Sequence, residues 1–363
     1  MSKDVVSRVL FVTRAKNNQA GGMERLSHEL IKAITHTNLA VDVIAHYGRR
    51  YTAPLFVITC LPRVWRQAKK ADVVHIGDPL LALVGWVVKK FLHKPVVMTV
   101  HGLDVTYPHP LYQLYLQIFL PSADQYIAIS RHVKSLLRRR GLGQRVTVIP
   151  PGITDKLYNP HYTRQDLSHV LGSNLANKVV LLTTGRLVPR KGHAWFITHV
   201  LPTLPSHVVY VIAGEGQEKD HIIRVSKRAG LHERVHVLGR VTDEALAILT
   251  NTSDAFVQPN IAIEGDTEGF GLVLLEAAIC ARPVFAANLE GIPDAITPGK
   301  NGVLLPSGNK QAWIVALEKF IATPHQHVPT GMEARQYTYN YFAWQKIVEQ
   351  YRTVFSTVTM PVS

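Results

Sequence analysis

Residues 260–282 read NIAIEGDTEGFGLVLLEAAICAR, an acidic, glycine-rich stretch that runs directly into an apolar one. Two carboxylates, Glu268 and Glu276, stand eight positions apart in it, with Gly-Phe-Gly at 269–271 between them. Eight residues at about 100° each do not return to the same face of a helix, so both glutamates can point into one pocket only if Glu268 lies in a loop. We therefore predict a turn at 269–271 that opens a helix, with Glu276 one to two turns inside that helix.

Two interpretations of this stretch remain open when its residues are taken alone. A helix N-terminus with small residues is a natural seat for phosphate or sugar oxygens. In the ordinary alternative the helix is simply capped and amphipathic, with Glu268 near the positive end of the helix dipole and Glu276 in solvent. The rest of the chain has to decide between a ligand site and an ordinary helix.

Length and composition describe a folded globular protein of two domains. The chain has 363 residues, of which 47% are hydrophobic and 18% charged, and this length exceeds the usual size of a single core. Only Cys60 and Cys280 occur, so neither a disulfide framework nor a cysteine metal cluster is expected, which suits a reducing, cytosolic compartment. The apolar run 9–12 is too short for a secretory signal, and the run 80–88 falls short of the roughly 20 residues that a membrane span needs.

The net charge of +14 is concentrated in the first part of the chain. Residues 1–160 hold 22 Lys and Arg against 9 Asp and Glu, or +13, whereas residues 161–363 hold 18 against 17, or +1. Such asymmetry points to an anionic partner, either a membrane surface or a nucleic acid. The basic clusters can also be solvated helix faces. Since no zinc-finger spacing or RNA-binding aromatic signature accompanies them, we do not expect a nucleic acid. The clusters are Arg138-Arg139-Arg140 with Lys134 and Arg145, and Arg63, Arg66, Lys69 and Lys70.

Short β-rich apolar runs alternate with helix-period segments, which is the pattern of parallel sheets covered on both faces. The predicted strands of the first half are 8–13, 41–46, 55–59, 72–76, 96–101, 125–129 and 146–149, with helices that include 22–35, 80–92 and 131–140. The predicted strands of the second half are 179–184, 208–213, 235–238, 255–258, 284–286 and 303–305. Ligands bind beyond the carboxyl ends of strands in open α/β sheets, so the residues just after each strand are the informative ones.

Two strand ends of the first half carry candidate site residues. Gly21 and Gly22 follow the first strand and precede a helix, where paired glycines let a ligand approach the backbone, although a plain tight turn needs the same residues. His101 follows the strand at 96–100 and so stands at a carboxyl edge of the sheet. A lone histidine is usually structural, but this position makes His101 a reasonable site candidate.

The second half begins after a proline-rich break at 148–153 and a polar stretch that extends to about 178. We place the domains at 1–165 and 166–340, followed by a C-terminal helical region at 341–363 that we expect to pack back towards the N-terminal domain. The loop at 185–192, GRLVPRKG, is cationic, and arginine with lysine suits a diphosphate. The next strand ends in the glycine-rich run 213–216, which fits a nucleotide or any tight turn.

In their order and spacing, these residues resemble the retaining glycosyltransferases of family 4, and in particular bacterial mannosyl and glucosyl transferases of lipid-linked or cell-surface glycans. The resemblance runs from about residue 8 to about residue 343. It implies an α/β protein with the GT-B fold, in which two Rossmann-like, doubly wound parallel-sheet domains face each other across a cleft. It also favours the ligand-site interpretation of the stretch at 260–282, because both glutamates recur at the spacing of the family.

The resemblance implies a role for each matching residue. Arg186 and Lys191 bind the donor diphosphate, Glu276 holds the ribose hydroxyls, Glu268 holds hydroxyls of the transferred sugar, and His101 faces the reacting sugar. The implied catalytic residues are His101, Arg186, Lys191 and Glu268, and the implied donor-binding residues are Gly21, Gly22, Glu215, Gly216, Leu238, Gly239, Gly269, Phe270, Gly271 and Glu276. No divalent metal and no cofactor is implied, because cations and helix amides stabilise the charge of the leaving group.

The chain departs from the pattern of the family at a few positions. Pro151 and Thr154 replace an asparagine and an aspartate of the hinge motif, from which we expect a stiffer hinge and no lost chemistry. Arg190 stands where an acidic residue is common before the lysine. The acidic loop at 264–268 resembles a subset of the family that includes mannosyltransferases of lipid-linked glycans. Asp266 and Glu268 are not expected to be the metal-binding motif of the other glycosyltransferase fold.

We therefore predict a retaining, metal-independent transferase that moves a hexose from a nucleoside-diphosphate sugar to a glycan or lipid-linked acceptor. Its expected place is the cytoplasm, peripherally on the inner face of the membrane, where the basic N-terminal domain meets anionic lipid. Three alternatives are a nucleotide-sugar epimerase, a phosphorylase on the same fold, and a non-catalytic subunit that binds nucleotide sugars. The donor base, the sugar, the acceptor linkage and the oligomeric state do not follow from the residues.

Overall fold

A computed structural model describes residues 6–14, 22–48, 50–323 and 328–360, without the side chains of 50 and 328–330. The chain divides into two compact units, of which the first comprises Met1–Gly152 with Phe342–Ser363 and the second comprises Ile153–Tyr341. The division after Gly152 comes earlier than the boundary that we placed between 165 and 166.

A six-stranded sheet forms the centre of the first unit. Its strands are β1 (Arg8–Arg14), β2 (Ala40–His46), β3 (Val73–Ile76), β4 (Val96–Val100), β5 (Gln125–Ala128) and β6 (Val146–Val148). All of the pairings are parallel, and the order across the sheet is β2-β1-β3-β4-β5-β6. Because β2 and β3 lie on opposite sides of β1, the connections diverge there, and a crevice opens at the carboxyl ends of β1 and β3.

A second parallel sheet of six strands forms the centre of the second unit. Its strands are β7 (Val179–Thr184), β8 (Val208–Ala213), β9 (Val235–Gly239), β10 (Ala255–Gln258), β11 (Val284–Asn288) and β12 (Val303–Pro306). The order is β12-β11-β10-β7-β8-β9, so the connections diverge between β7 and β10. The predicted α/β class, with two doubly wound parallel sheets, is confirmed.

Helices connect most of these strands, as parallel pairing requires. In the first unit they are α1 (Gly22–Thr35), α2 (Ala53–Thr59), α3 (Leu61–Ala68), α4 (Ala82–Val87), which continues as a π-helical segment (Val88–Leu92), α5 (Leu103–Thr106), α6 (Pro110–Phe119) and α7 (Arg131–Arg139). Those that follow are α8 (Arg164–Leu171), α9 (His193–His199), α10 (Lys219–Arg228), α11 (Asp243–Thr252), α12 (Leu272–Ile279), α13 (Ile292–Ala295), α14 (Lys310–Ala322), α15 (Val328–Phe342) and α16 (Trp344–Thr359).

The C-terminal helix α16 belongs to the core of the first unit. Its buried face, which includes Trp344, Tyr351 and Phe355, joins one apolar cluster with residues of β1, β3, β4 and α1. The rings of Phe355 and Phe11 lie 6.1 Å apart, edge to face. A single α-helix thereby brings the end of the chain back onto the sheet that the beginning of the chain forms.

The strand that we predicted at 55–59 is wrong, because these residues form part of α2. The run LFVIT is rich in β-branched and aromatic side chains, which favours a strand locally. The buried positions of α2 and α3, however, are Ala53, Val57, Cys60, Val64 and Ala68, at spacings of three and four. This is the period of a helix, and it becomes visible only when the pattern is followed beyond the short run.

The other predicted strands are present, with ends that differ by a residue or two. The predicted helix at 80–92 consists of a 3₁₀ turn, α4 and the π-helical segment. Along the residues that the structure describes, no helix combines the length and the apolar character needed to cross a bilayer. Cys60 and Cys280 are both buried, free thiols.

Candidate functional site

The candidate site of the second unit lies where β7 and β10 end, at the point where the strand connections diverge. The loop after β7 carries Arg186, Arg190 and Lys191, and the segment after β10 carries Glu268 and leads into α12. Since β7 and β10 are neighbours in the sheet, these two loops meet although they are far apart in sequence. Crevices of this kind are the usual ligand sites of open parallel sheets.

Gly192 allows the loop after β7 to approach the segment after β10. Its φ is 70°, and a Cβ built on it would lie 1.9 Å from the carbonyl oxygen of Pro259, so no other residue fits there without a shift of the backbone. Next to it, the amide of Ile261 donates a hydrogen bond of 2.9 Å to the carbonyl of Arg190. The backbone thus fixes the position of the cationic loop.

Lys191 and Glu268 form a buried ion pair at this junction. The Lys191 Nζ donates to the Glu268 Oε2 at 2.7 Å, and the side-chain amide of Asn260 donates to the same oxygen at 3.2 Å. Taken as whole residues, Lys191 and Glu268 are 5% and 8% exposed. An ammonium and a carboxylate lose their hydration in such a place. Each remains ionised because the opposite charge of its partner stabilises it.

The charges around this pair shift both pKa values. Burial alone would raise the pKa of Glu268, but the positive charges of Lys191 and Arg190 lower it to about 2. The pKa of Lys191 is lowered, first by burial and then by the positive charges of Arg190 and Arg186, although Glu268 opposes this. Glu268 is therefore an anion at neutral pH, with the two buried cations Lys191 and Arg190 beside it.

Arg190, the departure from the family pattern, ties the acidic loop to the cationic one. Its Nη1 donates to Asp266 Oδ1 at 2.7 Å, and its Nε lies 3.5 Å from Glu268 Oε2. The Arg190 side chain is 7% exposed, and those of Glu268 and Asp266 are 11% and 25% exposed. Arg190 thus contacts two carboxylates of one loop and holds that loop against Lys191.

Helix α12 begins where the sequence predicts. Gly271 is its N-cap, with φ 90°, and Glu276 lies one turn inside the helix and is buried. Glu268 is a loop residue, and Phe270, between the two glycines, is also buried. The prediction of a turn at 269–271 followed by a helix is confirmed.

The loop after β11 supports this turn, which we did not predict. The amide of Glu268 donates to the Glu290 carboxylate at 2.5 Å, and the amide of Gly291 donates to the carbonyl of Glu268 at 3.1 Å. A Cβ on Gly291 would lie 2.0 Å from the carbonyl oxygen of Gly269. Glu290 has φ 52°, which is rare for a residue with a side chain, and it is a supporting residue of the site that we did not predict.

The ends of β8 and β9 form a third part of the same edge. Glu215 accepts a hydrogen bond from Lys219 at 2.9 Å and another from the amide of Arg240 at 3.2 Å. The amide of Gly214 donates to the carbonyl of Gly239 at 2.8 Å, and the amide of Leu187 donates to the carbonyl of Glu215 at 3.0 Å. Gly216 packs against the backbone of Leu187, and Leu238 precedes Gly239 in β9. The structure therefore brings the predicted residues of these two strand ends next to the cationic loop.

Beneath the cationic loop lies a buried hydrogen-bond chain that begins at His193. The His193 Nδ1 lies 2.9 Å from the hydroxyl of Tyr210, and that hydroxyl lies 2.9 Å from Thr183 Oγ1. Burial, with the charge of Lys191, lowers the pKa of His193 to about 3. His193 is therefore neutral and structural at pH 7, and the chain anchors the first turn of α9 to the sheet.

His101 lies at the carboxyl edge of the other sheet, in the first unit. Its Nε2 donates to the carbonyl of Gly77 at 3.0 Å, which leaves the buried Nδ1 as an acceptor without a partner among the residues that the structure describes. The amides of His101 and Gly102 donate to the carboxylate of Asp104 at 2.8 Å and 2.7 Å. This turn holds the imidazole in one orientation at the end of β4.

Arg14 and Asp78, which we did not predict as site residues, lie at the same edge. The Arg14 Nε donates to Asp78 Oδ2 at 2.9 Å, and both side chains are largely buried. Of the predicted glycines, Gly22 is the first residue of α1, where a Cβ would meet open space. Gly21 lies outside the described residues.

Two protein families match separate parts of the chain, one mostly in the first unit and one in the second. Residues 20–157 match the family described as Glycosyltransferase Family 4, and residues 170–340 match the family described as Glycosyl transferases group 1. The chain is 26% identical over 311 residues to a D-inositol 3-phosphate glycosyltransferase of Corynebacterium diphtheriae, an alignment that covers 80% of this chain and 71% of that protein. It is 27% identical to a GDP-mannose-dependent alpha-(1-6)-phosphatidylinositol monomannoside mannosyltransferase of Mycolicibacterium smegmatis, over 73% of this chain and 71% of that protein.

Solved structures share the whole fold at low identity. Anabaena HepE in complex with UDP superposes with a TM-score of 0.78 at 22% identity, covering 96% of this chain and all of that one. Sucrose-phosphate synthase from Thermosynechococcus elongatus gives a TM-score of 0.78 at 21% identity, covering 97% of this chain and all of that one. At this level of identity the likeness concerns the fold.

Proposed function

The chain belongs to glycosyltransferase family 4 and has the GT-B fold, and from that premise we propose that it transfers a hexose from a nucleoside-diphosphate sugar to a lipid-linked or glycan acceptor. The donor binds along the carboxyl edge of the second sheet. Its diphosphate lies against Arg186 and Lys191, its ribose against Glu276, and its hexose against Glu268 and the amides of 269–271.

The observation that carries this proposal is the cluster of positive charges around Lys191. Lys191 and Arg190 are buried beside Glu268, and Arg190 also pairs with Asp266, whereas Arg186 is exposed on the same loop. The pKa of Lys191 is lowered by burial and by the two arginines. An anionic ligand at this loop would reduce the repulsion among the three cations. A nucleoside diphosphate supplies that anion, and its charge grows as the sugar leaves.

The proposed transfer retains the configuration of the sugar and needs no metal ion. The bond between the anomeric carbon and the β-phosphate oxygen breaks, and the electron pair stays on the phosphate beside Lys191. The acceptor hydroxyl attacks from the same face, and its proton passes to that phosphate oxygen. Glu268 is a poor nucleophile for the alternative double displacement, because two cations hold its carboxylate and lower its pKa to about 2.

Within this class of acceptors, we favour a lipid-linked, inositol-containing molecule at an anionic membrane. Two relatives are named for inositol 3-phosphate and for phosphatidylinositol monomannoside, and the first 160 residues carry a formal charge of +13. About 1 kcal/mol per basic residue near an anionic surface would hold such a protein there reversibly. We infer from this a cytoplasmic enzyme on the inner face of the membrane.

A panel of donors tests the proposal. UDP-, GDP- and ADP-hexoses are compared by thermal shift, where a ligand at 100 times its dissociation constant stabilises the fold by about 2.7 kcal/mol. The best donor is then assayed for release of nucleoside diphosphate with phosphatidylinositol as acceptor, with and without EDTA, and the anomeric configuration of the product is read by NMR. Absence of stabilisation by every donor would contradict the donor site. Inversion, or loss of activity in EDTA, would contradict the mechanism alone.

A further inference from the structure

The first unit exposes an unusual number of large apolar side chains on adjoining helical segments. These segments are α2, α3, the π-helical segment Val88–Leu92 and α6, of which α2 packs on α3 and α4, α3 packs on the π-helical segment, and α4 packs on α6. Seven of their large apolar residues are between 40% and 72% exposed, namely Leu55, Ile58, Trp65, Phe91, Leu111, Leu114 and Ile118. These seven residues are called the apolar face below. Exposed apolar residues that occur singly are ordinary, but a contiguous set marks an interaction surface.

Aromatic rings make the apolar face continuous from α3 to α6. The ring of Trp65 lies 6.5 Å from that of Phe91, which lies 5.9 Å from the ring of Trp86. Trp86 in turn lies 5.6 Å from Phe119, which lies 5.1 Å from Tyr115. Tryptophan and tyrosine are enriched where a protein meets the interface between lipid and water.

Basic side chains lie beside these rings, and of these Lys89 is paired with Asp124. The Lys90 Nζ lies 4.6 Å from the centre of the Trp86 ring, and the Lys69 Nζ lies 5.7 Å from that of Trp65. Arg63 and Arg66 on α3 are also exposed. The four segments read APLFVIT, LPRVWRQA, VKKFL and PLYQLYLQIF, without aspartate or glutamate. The surface is therefore both apolar and cationic.

We propose that the apolar face docks the protein on an anionic lipid bilayer, with its aromatic and aliphatic side chains at the level of the headgroups and its lysines and arginines among the lipid phosphates. This inference rests on the lipid-linked acceptor proposed above. A second copy of the chain fits less well, because self-association through this surface would bring together the exposed cations of α3 and Lys90 from both copies, and the four segments supply no carboxylate to pair with them. Lipid phosphates supply the missing negative charge, and acyl chains accept the apolar side chains.

Vesicle binding with tryptophan as the probe tests the location of the surface. The full chain is mixed with vesicles of phosphatidylglycerol and phosphatidylcholine whose acyl chains carry bromine, which quenches tryptophans that reach the lipid. We expect quenching in the wild type and the loss of most of it in Trp65→Phe. Quenching that is unchanged in Trp65→Phe would overturn the assignment of this surface.

Partition coefficients provide the second measurement, with controls in the second unit. Arg66→Ala/Lys69→Ala is expected to weaken binding about 30-fold, the equivalent of about 1 kcal/mol per basic residue. The triple change to serine at Leu111, Leu114 and Ile118 is expected to weaken it at least about tenfold. The matched controls are Arg224→Ala/Lys227→Ala on the exposed side of α10 and Val315→Ser, whose side chain is 54% exposed, and these are expected to bind as the wild type does.

The outcomes separate this inference from the proposed function. Wild-type protein that ignores anionic vesicles at low salt, or surface variants that bind as well as their controls, would overturn the docking surface. A wild-type dimer that the same variants convert to monomers would show that a second copy covers the surface instead. Donor stabilisation and donor turnover with a water-soluble acceptor are measured for every variant. If the wild type shows neither donor stabilisation nor donor turnover, the proposed function is wrong, whereas the vesicle result still holds.

Discussion

The ammonium of Lys191 and the carboxylate of Glu268 meet at 2.7 Å in a buried junction, although 77 positions separate them in the sequence. The pair occupies the point where the connections of the second sheet diverge, and Arg190 contributes a second cation to the same carboxylate. Glu268 therefore keeps Lys191 oriented within a cluster to which Arg190 adds a second positive charge.

Removing the Lys191 side chain is expected to abolish most of the activity. Lys191→Ala should lower kcat by about 100- to 1,000-fold, the usual effect of deleting one preorganised donor to a developing anion. Release of nucleoside diphosphate under saturating donor measures this. Lys227→Ala, an exposed lysine of α10, is the control and should turn over normally. A Lys191→Ala enzyme within threefold of the wild type would show that the phosphate is held elsewhere.

Arg190 and Asp266 are expected to act as one unit that positions the acidic loop. Arg190→Met and Asp266→Asn should each lower kcat/KM about tenfold, and the double variant should be little worse, which gives a coupling free energy of about 1 kcal/mol. Steady-state kinetics on the four proteins measure it. The exposed pair Arg352 and Glu349 of α16, 2.9 Å apart, should show a coupling near zero in the free energy of unfolding. Additive effects at Arg190 and Asp266 would argue against a shared role.

Gly192 and Gly230 have nearly the same backbone conformation but different surroundings. Substitutions at the two positions therefore distinguish the cost of a left-handed backbone from the cost of a steric contact. Gly192 has φ 70° and faces the carbonyl of Pro259, whereas Gly230 has φ 68° and faces open space. Alanine at Gly230 should cost about 1 kcal/mol in the free energy of unfolding, since only the left-handed backbone opposes it. Alanine at Gly192 should cost clearly more and should also impair donor binding, because the cationic loop must move. Urea unfolding and thermal shift with donor give both values, and equal destabilisation would refute the close contact.

As the pH is lowered, the fold should begin to lose stability at a pH well above the range in which carboxylates titrate. Burial lowers the pKa of His75 and of His193 from 6.5 to about 3, so below pH 6.5 the unfolded chain binds protons that the folded chain does not. Stability therefore falls with decreasing pH, by up to about 1.4 kcal/mol per pH unit for each histidine. Below pH 4.5 Glu268, with its pKa near 2, adds to the loss in the same direction.

Urea unfolding between pH 7 and pH 5 checks this dependence. The slope of the free energy of unfolding against pH measures how many more protons the unfolded state binds. His193→Gln should lower that number by about one, because glutamine can replace the hydrogen bond to Tyr210 without titrating. The same change at His232, which is exposed, serves as the control. A slope that His193→Gln leaves unaltered would mean that His193 is not the group responsible.

The last helix should stabilise the first unit strongly. Phe355 is fully buried and contacts the rings of Phe11, His75 and Tyr351, so Phe355→Ala should cost about 3 to 5 kcal/mol. Lys346→Ala, on the exposed side of the same helix, should change stability by less than about 0.5 kcal/mol. Denaturant unfolding followed by hydrogen exchange of β1 measures both. Unaltered protection of β1 in Phe355→Ala would contradict the packing.

Several parts of this fold and site follow from local chemistry and could be predicted from the sequence. Buried parallel strands read as short apolar runs, and the helix that starts after 269–271 follows from its glycines and from the angular spacing of Glu268 and Glu276. The run 55–59 shows the limit of such inference. Its β-branched side chains favour a strand, and only its packing with α3 selects the helix.

By itself, the sequence determined the residue types and their place at strand ends: a cationic loop after β7, a glycine turn before α12 and a histidine after β4. The tertiary structure decided which of them meet. Three contacts of the site depend on the order of strands in the sheet. They are the ion pair of Lys191 with Glu268, the hydrogen bond from Arg190 to Asp266, and the hydrogen bond from the Glu268 amide to Glu290. That order is set by long-range packing of buried faces, and one sequence read along its length contains no direct measure of distances between loops.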